Sequence, residues 1–212
     1  MTADFALGDL TSKKGWVRNS CDLRLWIPCP AGFPEDFGMD RDSWAAAMAE
    51  AWWEQSGLRY GPGMVAKLAF MLDALREDGY ENVPCHQIWA YYRDITLPPL
   101  PLHIGIWMMT GDRDQQLRSL SGAADPDVIR PPVVTEFTTG NLGTGFRTLR
   151  HTESDSGAVC GILGFAFRSE EFETDLQIMT GTPDLRQLHK ATRDIENFIH
   201  GMSVYYNPAS LA

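Results

Sequence analysis

The sequence predicts an α+β fold, a mostly antiparallel sheet with helices packed against it. Four apolar or alternating runs, 133–138, 143–150, 158–168 and 174–180, follow one another with only short Gly-rich or acidic breaks between them. One long amphipathic segment, Leu185 to Met202, closes the series. Strands joined by short breaks pair antiparallel, because a parallel crossover needs about a dozen residues or more.

Each run is rich in β-branched and aromatic residues, and the breaks carry turn formers: Thr139-Gly140-Asn141, Ser154-Asp155-Ser156-Gly157 and Ser169-Glu170-Glu171. In 158–168, Val159, Leu163, Phe165 and Phe167 oppose Cys160, Ile162 and Ala166. Both alternating faces are apolar, which predicts a central strand covered on both sides. Leu176 and Ile178 alternate with Asp175 and Gln177, as a strand with one wet face would. Thr182-Pro183-Asp184 then opens the closing helix. Thr182 is placed to cap it, Pro183 fits the first helical position, and Asp184 suits the positive end of the dipole. Leu185, Leu188, Ile195, Phe198, Ile199 and Met202 follow at helical spacing. Burying such side chains is worth ~1.5–3 kcal/mol each, so the helix is expected to dock on the sheet.

In the first half, Leu23 to Ile27 alternates into Pro28-Cys29-Pro30-Ala31-Gly32-Phe33, a strand ending in a rigid turn. Asp40 or Asp42 starts a helix that runs to about Gln55 and ends at Gly57. Gly61-Pro62-Gly63 opens a second, with Met64, Leu68, Met71, Leu72 and Leu75 as its apolar stripe and Gly79 as a left-handed stop. So short a loop predicts an antiparallel helical hairpin at about 40–79, inserted in a single domain covering 1–212. His86 to Arg93 and Leu102 to Met109 read as further strands. Gly111-Asp112 begins a short helix through about Leu120. The Pro- and Asp-rich stretch 123–132 reads as a loop within the domain.

At 212 residues the chain can bury a sizeable core. Its formal charge of −10, with no offsetting cluster of Lys and Arg, argues against nucleic-acid binding. No apolar run approaches the length that crosses a bilayer, and residues 1–18 show no secretory signal. Cys21, Cys29, Cys85 and Cys160 show no C-x-x-C spacing, which predicts free thiols and a cytoplasmic location.

Candidate functional groups are few. Trp44, Met48 and Trp52 share one helix face, with Trp53 about 100° away. They form either a wide core-facing stripe or, with Trp53 on the rim, an anchor for a partner. Cys85-His86 sets a thiol beside a base, but neighbours on an extended strand point to opposite faces, which favours a buried thiol. His189 and His200 share a helix face yet stand ~16 Å apart along it, too far to share an ion. His103, His151, Glu153 and Asp155 could meet only through a tertiary contact. No zinc-ligand series is present, so no metal and no cofactor is expected. Gly140 to Gly145 resembles a phosphate cradle but lacks the Lys-Ser/Thr of a P-loop and reads as a hairpin loop. Asp112-Arg113-Asp114 reads as a helix cap with a surface ion pair, or as part of a partner-binding surface.

The order of elements also carries a family resemblance. A strand ending in a Pro-x-Pro-x-Gly-aromatic turn (Pro28, Pro30, Gly32, Phe33), a later antiparallel meander, and a last strand–Thr-Pro–helix unit (180–202) resemble the PsbP-like α/β sandwich. The extrinsic photosystem subunit, the Ran-binding nuclear import factor and the LpqN-type actinobacterial lipoproteins share that fold. The resemblance implies a sheet with packed helices, used mainly to bind proteins, and transfers no catalytic residue. The chain departs from the lipoprotein branch in lacking a lipobox. The sequence thus leads to a non-catalytic accessory module. It would dock a protein partner or a second copy of itself through an acidic surface bearing Trp52, Trp53, Asp112 and Arg113. The alternatives are a small hydrolase or transferase using Cys85 or a histidine, and a carrier of an apolar ligand held between the sheet and the helical pair.

Overall fold

The computed structural model describes residues 11–12, 14–34, 38–57, 63–94, 97–154 and 156–206. Among these, nine strands and four helices run in the order β1 (Gly15–Asn19), β2 (Trp26–Cys29), α1 (Arg41–Ser56), α2 (Met64–Asn82), β3 (Gln87–Tyr91), β4 (Leu100–Met108), α3 (Arg113–Leu120), β5 (Val133–Thr139), β6 (Gly143–Glu153), β7 (Val159–Ser169), β8 (Thr174–Thr182), α4 (Leu185–His200) and β9 (Met202–Tyr206). The expected α+β architecture is present. Seven strands hydrogen-bond in the order β2-β3-β4-β8-β7-β6-β5, and β1 pairs separately with β9. By internal contacts the chain divides into two units, Asp22–His103 and Met1–Cys21 with Ile104–Ala212.

In the second of these, the meander β5-β6-β7-β8 is antiparallel throughout, with Arg147 opposite Phe165 and Phe165 opposite Ile178. The β5–β6 hairpin turns at Gly143, whose φ of 71° suits glycine, and Thr139 Oγ1 accepts from Leu142 N. This is the hairpin loop expected in place of a phosphate cradle. As predicted, β7 is central and covered on both faces. Its odd-numbered residues Leu163, Phe165 and Phe167 are buried on the side of α4, and an added Cβ at Gly161 would lie 2.8 Å from Leu185 and Leu188. Its even-numbered residues meet α3, where Leu117, Phe146 and Ala166 form a small core.

Polar contacts fix the α3 side. The Asp112 carboxylate caps α3 by accepting from Gln115 N at 2.9 Å. Thr148 Oγ1 donates to Ser121 Oγ, and Arg150 Nε lies 3.1 Å from Asp125 Oδ2, tying the 123–132 connection to β6. Arg168 and Asp175, with side chains 5% and 0% exposed, face each other across β7 and β8 at 2.7 Å. Arg168 Nη2 also donates to Thr110 O at 2.7 Å.

Helix α4 starts at Leu185, two residues past Pro183, the expected first helical position. Asp184 is the cap, accepting from Arg186 N and Gln187 N, and Thr182 Oγ1 accepts from Asp184 N. Leu188, Ala191, Ile195, Phe198 and Ile199 are its buried face. The helix ends at His200; Met202, expected as its last apolar position, instead opens β9 opposite Asn19.

In the unit Asp22–His103, Asp40 caps α1 through Ser43 N, and Gly57 (φ 67°) closes it, as expected. Gly63 is the cap of α2, while Gly61 and Pro62 lie outside the described residues. Gly79 is not a stop. It lies inside α2, which runs on to Asn82, and an added Cβ there would stand 2.5 Å from Ile88 and 3.1 Å from His103. Glycine at this position lets the helix approach β3 closely. The two helices pack on each other, joined by Arg41, whose guanidinium donates to Asp73 (2.6 Å) and Glu77 (2.7 Å). Their core holds Ile27, Trp44, Ala49, Trp52, Leu68, Leu72 and Ile88.

Candidate functional site

The alternation of β6 builds the candidate site. Arg147, Leu149 and His151 occupy alternate positions, so they share one face of the sheet. That is the face on which α4 lies, but α4 packs on β7 and β8, leaving the β6 side chains half-open beside its flank. A cleft of about 390 Å³ results, lined by Arg147, Leu149 and His151 from β6 and by Leu185, Leu188, His189, Thr192, Arg193 and Glu196 from α4.

Leu149, Leu185 and Leu188 make its apolar part. At one end Arg147 Nε donates to Glu196 Oε1 at 2.9 Å. At the other, Arg130 lies against His151, with Nη2 3.3 Å from Nδ1. Burial and the Arg130 guanidinium together hold the His151 imidazole below its ordinary pKa. The cleft's hydroxyl, Thr192, donates to Leu188 O within its own helix at 2.9 Å. No nucleophile–base pair is assembled among the lining groups.

The residues singled out from the sequence fall elsewhere. Trp52 and Trp53 are buried, at 9% and 4% exposure, so the rim position expected for Trp53 is corrected. Two adjacent tryptophans span more of the helix circumference than one stripe, and here the core takes both. Trp52 meets Tyr92 edge to face at 5.7 Å. The large aromatic that the helical pair does expose is Phe70, at 74%. Asp112 serves as the α3 cap, and Arg113 pairs with Asp114 at 2.8 Å and donates to Thr144 O.

Cys85 is buried, and burial pushes its thiol up to about 12. His86 is pushed down to about 4 for the same reason. The thiol therefore stays protonated and the imidazole neutral at neutral pH. All four cysteines are free. His189 lines the cleft, whereas His200 packs on Phe137 at 5.2 Å between ring centroids. His151 meets Arg130, and Asp155 lies outside the described residues. Among the described residues no three His, Cys, Asp or Glu side chains gather as a metal site, and no helix is long and apolar enough to cross a membrane.

Arg147, Leu149 and Arg193 were not singled out by sequence. The available signal was the alternation Arg147-x-Leu149-x-His151, basic at both ends in an acidic chain.

No family model matches the chain, and no curated protein matches it. Among solved structures, LpqN, involved in cell envelope biogenesis of Mycobacterium tuberculosis, is similar over 57% of this chain and 72% of its own, at 9% identity and a TM-score of 0.45. A likeness of that size assigns neither family nor function.

Proposed function

We propose that this protein is a non-catalytic binding module and that its binding site is the cleft between β6 and the flank of α4. The single observation that carries the reading is the cleft itself, in which three leucines stand among a few polar and charged groups. Its volume of about 390 Å³ lies within the range of small-molecule sites. The state of Cys85 adds support, because a buried, protonated thiol is a poor nucleophile. Of the functions the sequence left open, ligand carriage gains most, although the cleft is not the one expected between sheet and helical pair. Docking through Trp53 loses its basis, since a hot-spot anchor must present its ring to the partner.

Chemical-shift mapping of the isotope-labelled protein with 1-octanol, a neutral probe with a short apolar tail, tests the reading. Perturbed amides should cluster at 147–151 and 185–196. Leu185→Trp, which fills the mouth of the cleft from an exposed position, should abolish them. Shifts confined to other surfaces would overturn the assignment.

A further inference from the structure

Granting that the cleft is the binding site, the charges around it specify what it binds. The chain as a whole carries −10, yet the ionisable groups facing the cleft are Arg147, Arg193, His151, His189 and one carboxylate, Glu196. Arg130 adds a further guanidinium behind His151. Glu196 is taken up by Arg147. Among the described residues neither Arg130 nor Arg193 has a carboxylate partner. Uncompensated guanidiniums in an acidic chain favour an oxyanion, which their planar donor forks match.

The apolar surface also continues beyond the cleft. Val133 pairs directly with Leu149 on β5 and so shares its face, and Val159 lies on the matching face of β7. Both are exposed, as is Leu185 at the mouth. Basic groups thus stand beside a strip of aliphatic side chains open to solvent.

We propose that the cleft takes a small amphipathic anion, its oxyanion head held by Arg193 and its hydrocarbon tail laid on Leu149, Leu185 and Leu188. The size of the cleft favours a small molecule over an acidic face of a protein, which would need a broader contact.

The test compares probes with one tail and different heads: octanoate, octyl phosphate, octyl glucoside and octyltrimethylammonium, followed by shift mapping and calorimetry. Octanoate or octyl phosphate should bind at 147–151 and 185–196 roughly tenfold more tightly than octyl glucoside, a charge-assisted hydrogen bond supplying the difference. Whichever of the two anions binds more tightly distinguishes a carboxylate from a phosphate ester as the natural head. Arg193→Gln, at an exposed position, should remove most of that preference. Raising the salt should weaken only the anions. Equal binding of all four probes in the cleft would overturn the anion assignment while leaving the cleft as the site. Failure of every probe, 1-octanol included, to reach the cleft would overturn both.

Discussion

The carbonyl oxygen of Ser121 lies 2.3 Å from the point where a Cβ on Gly164 would stand, so the end of α3 rests on the backbone of the central strand β7. A side chain there would strike a backbone atom that cannot swing aside. Gly164→Ala must lift α3 or bend β7, an overpacking penalty of ~1–3 kcal/mol. A thermal or urea melt should show the loss. An unchanged midpoint would mean that α3 floats over the sheet without a fixed seat.

Arg168 and Asp175 test a different kind of contact. Both are sealed from solvent, and the guanidinium also donates to Thr110 O and Gly111 O. Removing one member leaves the other charged and buried, at a cost of about 3–5 kcal/mol. Asp175→Leu alone should therefore destabilise strongly. The double change Arg168→Met with Asp175→Leu should recover much of that loss, because a well-packed apolar pair replaces a stranded charge. Equal losses for the single and double variants would show that the carbonyl contacts, and not the ion pair, hold Arg168.

The thiols should separate by burial. Cys29 and Cys85 are buried and their pKa values are pushed up to about 12, while Cys21 and Cys160 are half-buried. Iodoacetamide at neutral pH, read by mass spectrometry, should modify Cys21 and Cys160 first. Cys29 and Cys85 should react only after denaturation. Rapid alkylation of Cys85 in the native protein would restore it as a nucleophile candidate.

Local pattern carried the parts of the fold whose partners are near in sequence. The β5-to-β8 meander and α4 were legible because alternation, short breaks and a helical stripe each act within one segment. The β1–β9 pair was not, since Gly15 meets Tyr206 across nearly the whole chain and Met202 continues the helical spacing of α4. Gly79 shows the same limit. Its glycine serves a packing contact with Ile88, which a reading of helix ends cannot see. The cleft was hidden because it depends on register. Arg147 and His151 lie on the α4 side of the sheet only because β6 pairs with β7 as it does, and a one-residue slip would send them to the α3 side. The tryptophan pair misled for a composition reason: tryptophan is common both at interfaces and in cores, and the helix angle of Trp53 does not decide between them.

Acid should weaken the fold before its carboxylates titrate. Burial pushes His86 down to about 4 from an ordinary 6.5, and His103 is shifted the same way by burial, with Asp78 opposing. Between those two values the unfolded chain binds protons at His86 that the folded chain refuses. The linkage slope then makes stability rise with pH. The contribution is fully present above pH 6.5 and is lost as the pH falls through the window toward 4. Asp22 and Asp40, whose pKa values are lowered by hydrogen bonds from Arg24 and Ser43, lose their contributions only below the ordinary carboxylate value of 3.8. Urea midpoints at about pH 7 and about pH 5 should therefore differ, the lower pH being less stable. His86→Gln should shrink that difference, and adding His103→Gln should shrink it further. A pH dependence unaltered in the double variant would place the proton uptake outside these two histidines.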